Sequence, residues 1–258
     1  MKSYSLVDHP LLLKYLFHPR KDFHGCPPKA FDSSVQVDKD VYISTRFYVK
    51  EKNCPWVLYF HGNGEVVSDY DNIAPFYNNR NINLVVADYR GYGSSSGSPS
   101  FENIIKDAHI LFKAVREELD KRNFPKDLWI MGRSLGSISA LELAYNYTDE
   151  IKGLIIESGF ISVARLIWHL DIPAPGIDLD RLDQECLDVV KNISLPSLII
   201  HGQFDNLVPA QEAKDLYNNL GTDQKNLLII PYADHNNIII IDPDQYFETV
   251  QKFIKETS

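Results

Sequence analysis

The sequence predicts an α/β fold: a mostly parallel sheet covered by helices on both faces. Three observations lead there. Short apolar runs alternate along the chain with longer segments of helical periodicity, which is the pattern of strand–helix–strand units. The runs are apolar nearly throughout, as strands buried on both faces must be. The chain has 258 residues, of which 44% are hydrophobic and 24% charged, enough to enclose a large core as one domain.

Taken in order, Val41 to Val49 alternates polar and apolar residues and reads as an early, more exposed strand, antiparallel to the rest. Buried strands follow at Trp56 to Phe60, Ile82 to Ala87, Leu128 to Met131, Leu154 to Ile156, Leu198 to Ile200 and Leu227 to Ile230. Between them, Phe101 to Arg122 sets Ile104, Ile105, Ala108, Leu111, Phe112 and Val115 at helical spacing. Leu135 to Tyr147 does the same with Ile138, Leu141 and Tyr145. Pro209 to Leu220 and Pro243 to Lys255 each begin with proline, which is favoured in a first helical turn. Residues 159–195 lack a strand-like run and hold Pro173, Pro175 and several aromatics. They are expected to form a small helical lid over the sheet edge, within a single domain of residues 1–258.

Gly132-Arg133-Ser134-Leu135-Gly136 fits the pattern G-x-S-x-G. Short strings of this kind arise by chance, but this one directly follows a strand and opens a helix. A sharp strand-to-helix turn exposes the serine hydroxyl at the price of close backbone contacts that flanking glycines relieve. It also sets Ser134 at a helix N-terminus, where N–H groups favour developing negative charge.

A serine hydroxyl needs a base, and histidine suits the task. Of the 8 histidines, His61 and His201 each end a strand before glycine and read as turn formers. His235 follows the last strand, in a loop opening at the C-terminal edge of the sheet, where ligands bind in such folds. Asp205 follows the strand Leu198 to Ile200 and is the expected orienting acid. Glu157, Asp88 and Asp234 are its competitors: Glu157 also ends a strand, Asp88 precedes the serine, and Asp234 is too close in sequence to His235 for a well-aimed hydrogen bond. The order Ser134, Asp205, His235 is the one expected when the nucleophile sits on a strand–turn–helix elbow. His61-Gly62-Asn63-Gly64 follows another strand, and such a turn can aim a backbone N–H at an oxyanion. Asn63 is assigned that donor, with Gly64 as the alternative, and Leu135 the second.

Together with Asp88-Tyr89-Arg90-Gly91-Tyr92-Gly93, Ser95-Ser96-Gly97 and His235-Asn236-Asn237-Ile238, these motifs resemble the α/β-hydrolase superfamily, and within it the branch of eukaryotic protein depalmitoylases and related hydrolases. The resemblance runs from about Val41 to the C-terminus. It implies an eight-stranded sheet, a Ser-Asp-His triad on the positions named, and acyl transfer without metal or other cofactor. Two departures stand out. Cys26 stands alone where the depalmitoylases carry a membrane-anchoring cysteine cluster, and Asp234 occupies a position where glycine is common.

The expected activity is cleavage of a soluble ester or thioester with a small to medium acyl chain, through an acyl-enzyme. A peptidase or amidase with the same triad, or a binding module on this scaffold, are the alternatives. Phe160, Ile161, Leu166, Ile167 and Trp168 are candidates to line the acyl pocket. A net charge of −9 without a Lys/Arg cluster argues against nucleic acid. No run approaches the ~18 apolar residues of an integral membrane segment. Leu11-Leu12-Leu13 lacks the features of a signal peptide, so the expected location is the cytoplasm. Cys26, Cys54 and Cys186 fit neither a disulfide framework nor a zinc site. The sequence leaves the oligomeric state open.

Overall fold

The structure, a computed structural model, describes residues 3–258. Among these residues eight strands form one sheet: β1 (Ala30–Asp38), β2 (Val41–Tyr48), β3 (Trp56–Phe60), β4 (Asn83–Ala87), β5 (Leu128–Arg133), β6 (Gly153–Glu157), β7 (Ser197–Gly202) and β8 (Lys225–Ile230). Their order across the sheet is β1-β2-β4-β3-β5-β6-β7-β8. β1 and β2 form an antiparallel hairpin, and β2 joins β4 antiparallel. From β4 to β8 every pairing is parallel. This is the α/β-hydrolase fold expected from the motifs.

The helices are α1 (Pro10–Leu16), α2 (Ala74–Asn78), α3 (Phe101–Lys121), α4 (Ser137–Asn146), α5 (Val163–His169), α6 (Leu179–Lys191), α7 (Ala210–Asn219), α8 (Ile238–Ile241) and α9 (Pro243–Glu256). Successive residues of a strand face opposite sides, and the core divides accordingly. Trp56, Leu58 and Phe60 join the apolar cluster made with α3, α4, α6 and α7. Val57 and Tyr59 face the other way, into the cluster made with α2 and α9.

β1 has no counterpart among the expected strands. It is an edge strand in which only Val35 and Val37 are buried, so its sequence lacks the apolar run that marks the interior strands. The interval 159–195, expected as a small helical lid, is helical. It holds α5, and then α6 with Leu182, Cys186, Val189 and Val190 buried in the helix-layer core. α6 packs between α4 and α7. It is the crossover that two neighbouring parallel strands, β6 and β7, require. Only α5 and the turn after it extend beyond this regular connection. No helix among the described residues is long and apolar enough to cross a membrane.

Candidate active site

β3 lies between β4 and β5, so the chain leaves the sheet in opposite directions on either side of β3. A crevice opens at such a point beyond the C-terminal strand ends. The loops after β3, β5, β7 and β8 all emerge at this edge. They carry Asn63, Ser134, Asp205 and His235.

Ser134 is the first residue after β5, in a 3₁₀ turn over Ser134–Gly136 that leads into α4. Its φ of +50° lies in the left-handed region, a strained conformation for a residue with a Cβ. The glycines on either side make the turn possible through close approach. A Cβ on Gly132 would stand 2.4 Å from the Gly136 carbonyl oxygen, and one on Gly136 only 2.0 Å from the carbonyl oxygen of Phe60. The elbow is thus pressed against the end of β3, bringing Leu135 beside the loop that holds Asn63. The Ser137 hydroxyl donates to the Ser134 carbonyl at 2.6 Å and closes the turn.

Three distant side chains meet here. The His235 Nε2 lies 3.0 Å from the Ser134 hydroxyl, and its Nδ1 lies 2.7 Å from Asp205 Oδ2. The carboxylate can only accept, so Nδ1 carries the proton and Nε2 is free to accept from the serine. All three residues are buried, with 5–7% of their surface exposed. A hydroxyl, imidazole and carboxylate chained in this manner can pass a proton from oxygen to nitrogen and stabilise the imidazolium that results.

Asp205 is well held. Its Oδ1 accepts the backbone N–H groups of Leu207 at 3.0 Å and Val208 at 2.7 Å. The buried His201 ring lies 3.3 Å from Oδ2 and also contacts the Val208 carbonyl at 2.8 Å. Burial opposes ionisation of Asp205, but the hydrogen bonds from His201, His235 and Val208 outweigh it and hold the carboxyl below the usual aspartate range.

The competing carboxylates are all engaged elsewhere. Glu157 is buried against Arg133, Tyr246 and Tyr59. Asp88 accepts from the His61 ring at 3.1 Å and from the Val67 N–H at 3.0 Å. Asp234 accepts the N–H groups of Asn236 and Asn237 at 2.8 and 3.1 Å, a turn that leads into α8. Its own φ is not positive, so this position has no conformational need for glycine.

Asn63 sits in a β-turn whose side-chain contacts were not foreseen. Its Oδ1 accepts from the His18 N–H at 2.9 Å and from the Tyr92 hydroxyl at 2.6 Å, while its Nδ2 donates to the Leu16 carbonyl at 3.0 Å. The end of α1 and the residues after it therefore fasten this loop.

The expected pocket residues are dispersed. Phe160 and Ile161, at 1% and 3% exposure, and Ile167 at 1%, are sealed in the apolar cluster under α5. Leu166 is half-buried against the same cluster. Trp168 is 42% exposed. As a group they form no continuous lining: Phe160 and Ile161 precede α5, and within α5 each turn has a buried side, holding Ile167, and an exposed side, holding Trp168.

Sequence reasoning also missed Arg133, Glu65 and His201. Arg133 occupies a variable position of the motif, Glu65 a loop, and His201 a strand end. Arg133 and Glu65 meet across 68 residues of chain, and His201 reaches Asp205 and Val208 only where its own loop folds back, so no sequence pattern marks the three. Among the described residues, no group of three or more His, Cys, Asp or Glu side chains could hold a metal ion.

Two segments of the chain, residues 51–178 and 176–244, match the family described as serine aminopeptidase, S33. The chain belongs to this family. It is 29% identical over 235 residues to the protein YfhR of Salmonella typhimurium, covering 85% of this chain and 79% of the relative. It is 29% identical over 189 residues to the membrane protein YNL320W of Saccharomyces cerevisiae, covering 70% of this chain and 63% of the relative. It is 31% identical over 195 residues to lysophosphatidylserine lipase ABHD12 of Danio rerio, covering 67% of this chain and 49% of the relative. Among solved structures, the esterase Pf2001 of Pyrococcus furiosus superposes with a TM-score of 0.75 at 18% identity, over 93% of this chain and 98% of that one. These likenesses make the chain a hydrolase of the α/β-hydrolase fold.

Proposed function

We propose that the protein is a serine hydrolase that cleaves an ester or thioester of a small-molecule acyl substrate through an acyl-enzyme. The observation that carries this reading is the unbroken contact from Asp205 through His235 to Ser134, at 2.7 and 3.0 Å. Ser134 attacks the acyl carbonyl while His235 Nε2 takes its proton. The N–H groups of Leu135 and Asn63 receive the charge that forms on the carbonyl oxygen. One such donor is worth about 10²–10³ in rate. The imidazolium, stabilised by Asp205, then gives its proton to the leaving group. Water enters, is deprotonated by His235 and releases the acyl group.

A fluorophosphonate probe tests the nucleophile. Wild-type protein should be labelled and Ser134→Ala should not, with turnover falling on the order of 10⁴–10⁶-fold in the variant. Equal labelling of the two proteins would refute the assignment. Amide hydrolysis is the second reading, favoured by the aminopeptidase description of the matched family. Side-by-side turnover of p-nitrophenyl esters, acyl thioesters and aminoacyl p-nitroanilides separates the two. Tight binding of such compounds without turnover would leave a binding module instead. The cytoplasm belongs to the same proposal: all three cysteines are free thiols, as a reducing compartment would keep them. The budding-yeast relative is named a membrane protein, so fractionation of cells expressing the tagged chain is the check.

A further inference from the structure

The residue that precedes the nucleophile has its side chain turned inward, where it meets the other loops of the site. Arg133 is 8% exposed. Its Nε donates to Glu157 Oε1 at 3.1 Å, and its Nη1 to Glu65 Oε1. Its Nη2 donates to the backbone carbonyl of His235 at 2.7 Å and to Asn236 Oδ1 at 3.0 Å. The two carboxylates are themselves fixed. Glu65 Oε2 accepts the Gly62 N–H at 2.7 Å and the Tyr70 hydroxyl at 2.8 Å. Glu157 Oε2 accepts the Tyr246 hydroxyl at 2.5 Å. Gly62 leaves room for the guanidinium: a Cβ there would lie 2.4 Å from Arg133 Nη1.

We propose that Arg133 is a positioning residue that sets two loops relative to the nucleophile with one planar group: the 62–65 turn carrying Asn63, through Glu65, and the histidine loop, through the carbonyl of His235. The inference rests on the acyl-transfer reading of Ser134 given above. It adds that register between base, oxyanion donor and nucleophile is held by a cation that takes no part in proton transfer. Holding His235 by its carbonyl leaves the imidazole free to move a proton. The four contacts use a rigid fork of donors that a lysine ammonium, with three donors on a flexible stem, does not reproduce. The charge is also needed, because it balances the buried carboxylate of Glu157 and the half-buried one of Glu65.

Arg133→Lys and Asn236→Ala, each in the full chain, test this by two readouts. In Arg133→Lys, kcat for the best ester should fall on the order of 10²-fold, as for a displacement of about 1 Å at the reacting atoms, with KM little changed. Asn236→Ala loses one of the four contacts and should show a smaller fall of the same kind. Hydrogen–deuterium exchange should quicken in Arg133→Lys, about tenfold or more, over residues 62–65 and 233–237, while the strands keep wild-type protection. Wild-type kcat together with wild-type exchange in both loops of a folded Arg133→Lys overturns the proposal, as does a loss confined to KM. Exchange reports on the loops whether or not the protein turns over. Loosened loops in a chain whose Ser134 takes no probe would sink the acyl-transfer reading and leave the loop positioning standing.

Discussion

Asp205 is tied both to its own loop and to the His235 ring. Two backbone N–H groups and two imidazoles face its carboxylate, so it ionises more readily in the fold than in the unfolded chain. A carboxyl depressed in this way binds fewer protons when folded. The stability it contributes is therefore complete above the unfolded value of about 4 and is lost as pH falls below it. Asp205→Asn removes that contribution. Urea midpoints of the wild type and the variant should be well separated at pH 7, and the gap should narrow by pH 3. A gap of constant size would mean that the carboxylate charge does not couple to folding. This residue was legible from its place after a strand and between the serine and the histidine in chain order. His201 was not: its ring reaches Asp205 only because the chain turns back over Val208.

The elbow is the element on which the site turns. Its geometry depends on contact between backbones, the Cβ-free face of Gly136 against the carbonyl of Phe60. Gly136→Ala should push the turn away from the end of β3, costing about 1–3 kcal/mol in stability and slowing fluorophosphonate labelling of Ser134. Chemical denaturation and a labelling time course are the two measurements; unchanged values in both would mean that the elbow has slack that the distances do not suggest. The strand–turn–helix pattern made this element readable. α6 was harder to assign. Its amphipathic stripe of Leu182, Cys186, Val189 and Val190 is regular, but prolines at 173 and 175 and the aromatics before them group the whole of 159–195 into one helical excursion. The requirement that parallel neighbours β6 and β7 be joined by a crossover separates α6 from the short α5. β1 escaped notice because a polar edge strand buries too little to leave an apolar run.

Across the whole molecule, the sheet divides the core into two apolar layers, and large aromatics from the strands anchor each. Trp129, fully buried on the α9 side, also donates from Nε1 to Thr257 Oγ1 at 2.8 Å and so ties the end of the chain to β5. Trp129→Ala should cost about 3–5 kcal/mol through the cavity it leaves. Urea denaturation followed by far-ultraviolet circular dichroism measures it, and a loss under 1 kcal/mol would show that α9 closes the gap. The strand bearing Trp129 ends at Arg133, so loosening this layer acts on the strand end from which Ser134 emerges.

Local pattern alone determined the fold class, most of the interior strands, the elbow with Ser134, and the order in which Asp205 and His235 follow it. Those features depend on spacing, which a linear chain records. Only the tertiary structure decided that His201 joins His235 at the Asp205 carboxylate, that Phe160 and Ile161 are sealed in the core, and that Arg133 reaches both Glu65 and the carbonyl of His235. The Arg133 contacts to Glu65 and His235 span 68 and 102 residues of chain. Hydrogen bonds over such separations leave no periodicity in the sequence, because their partners become neighbours only after the strands have been laid side by side.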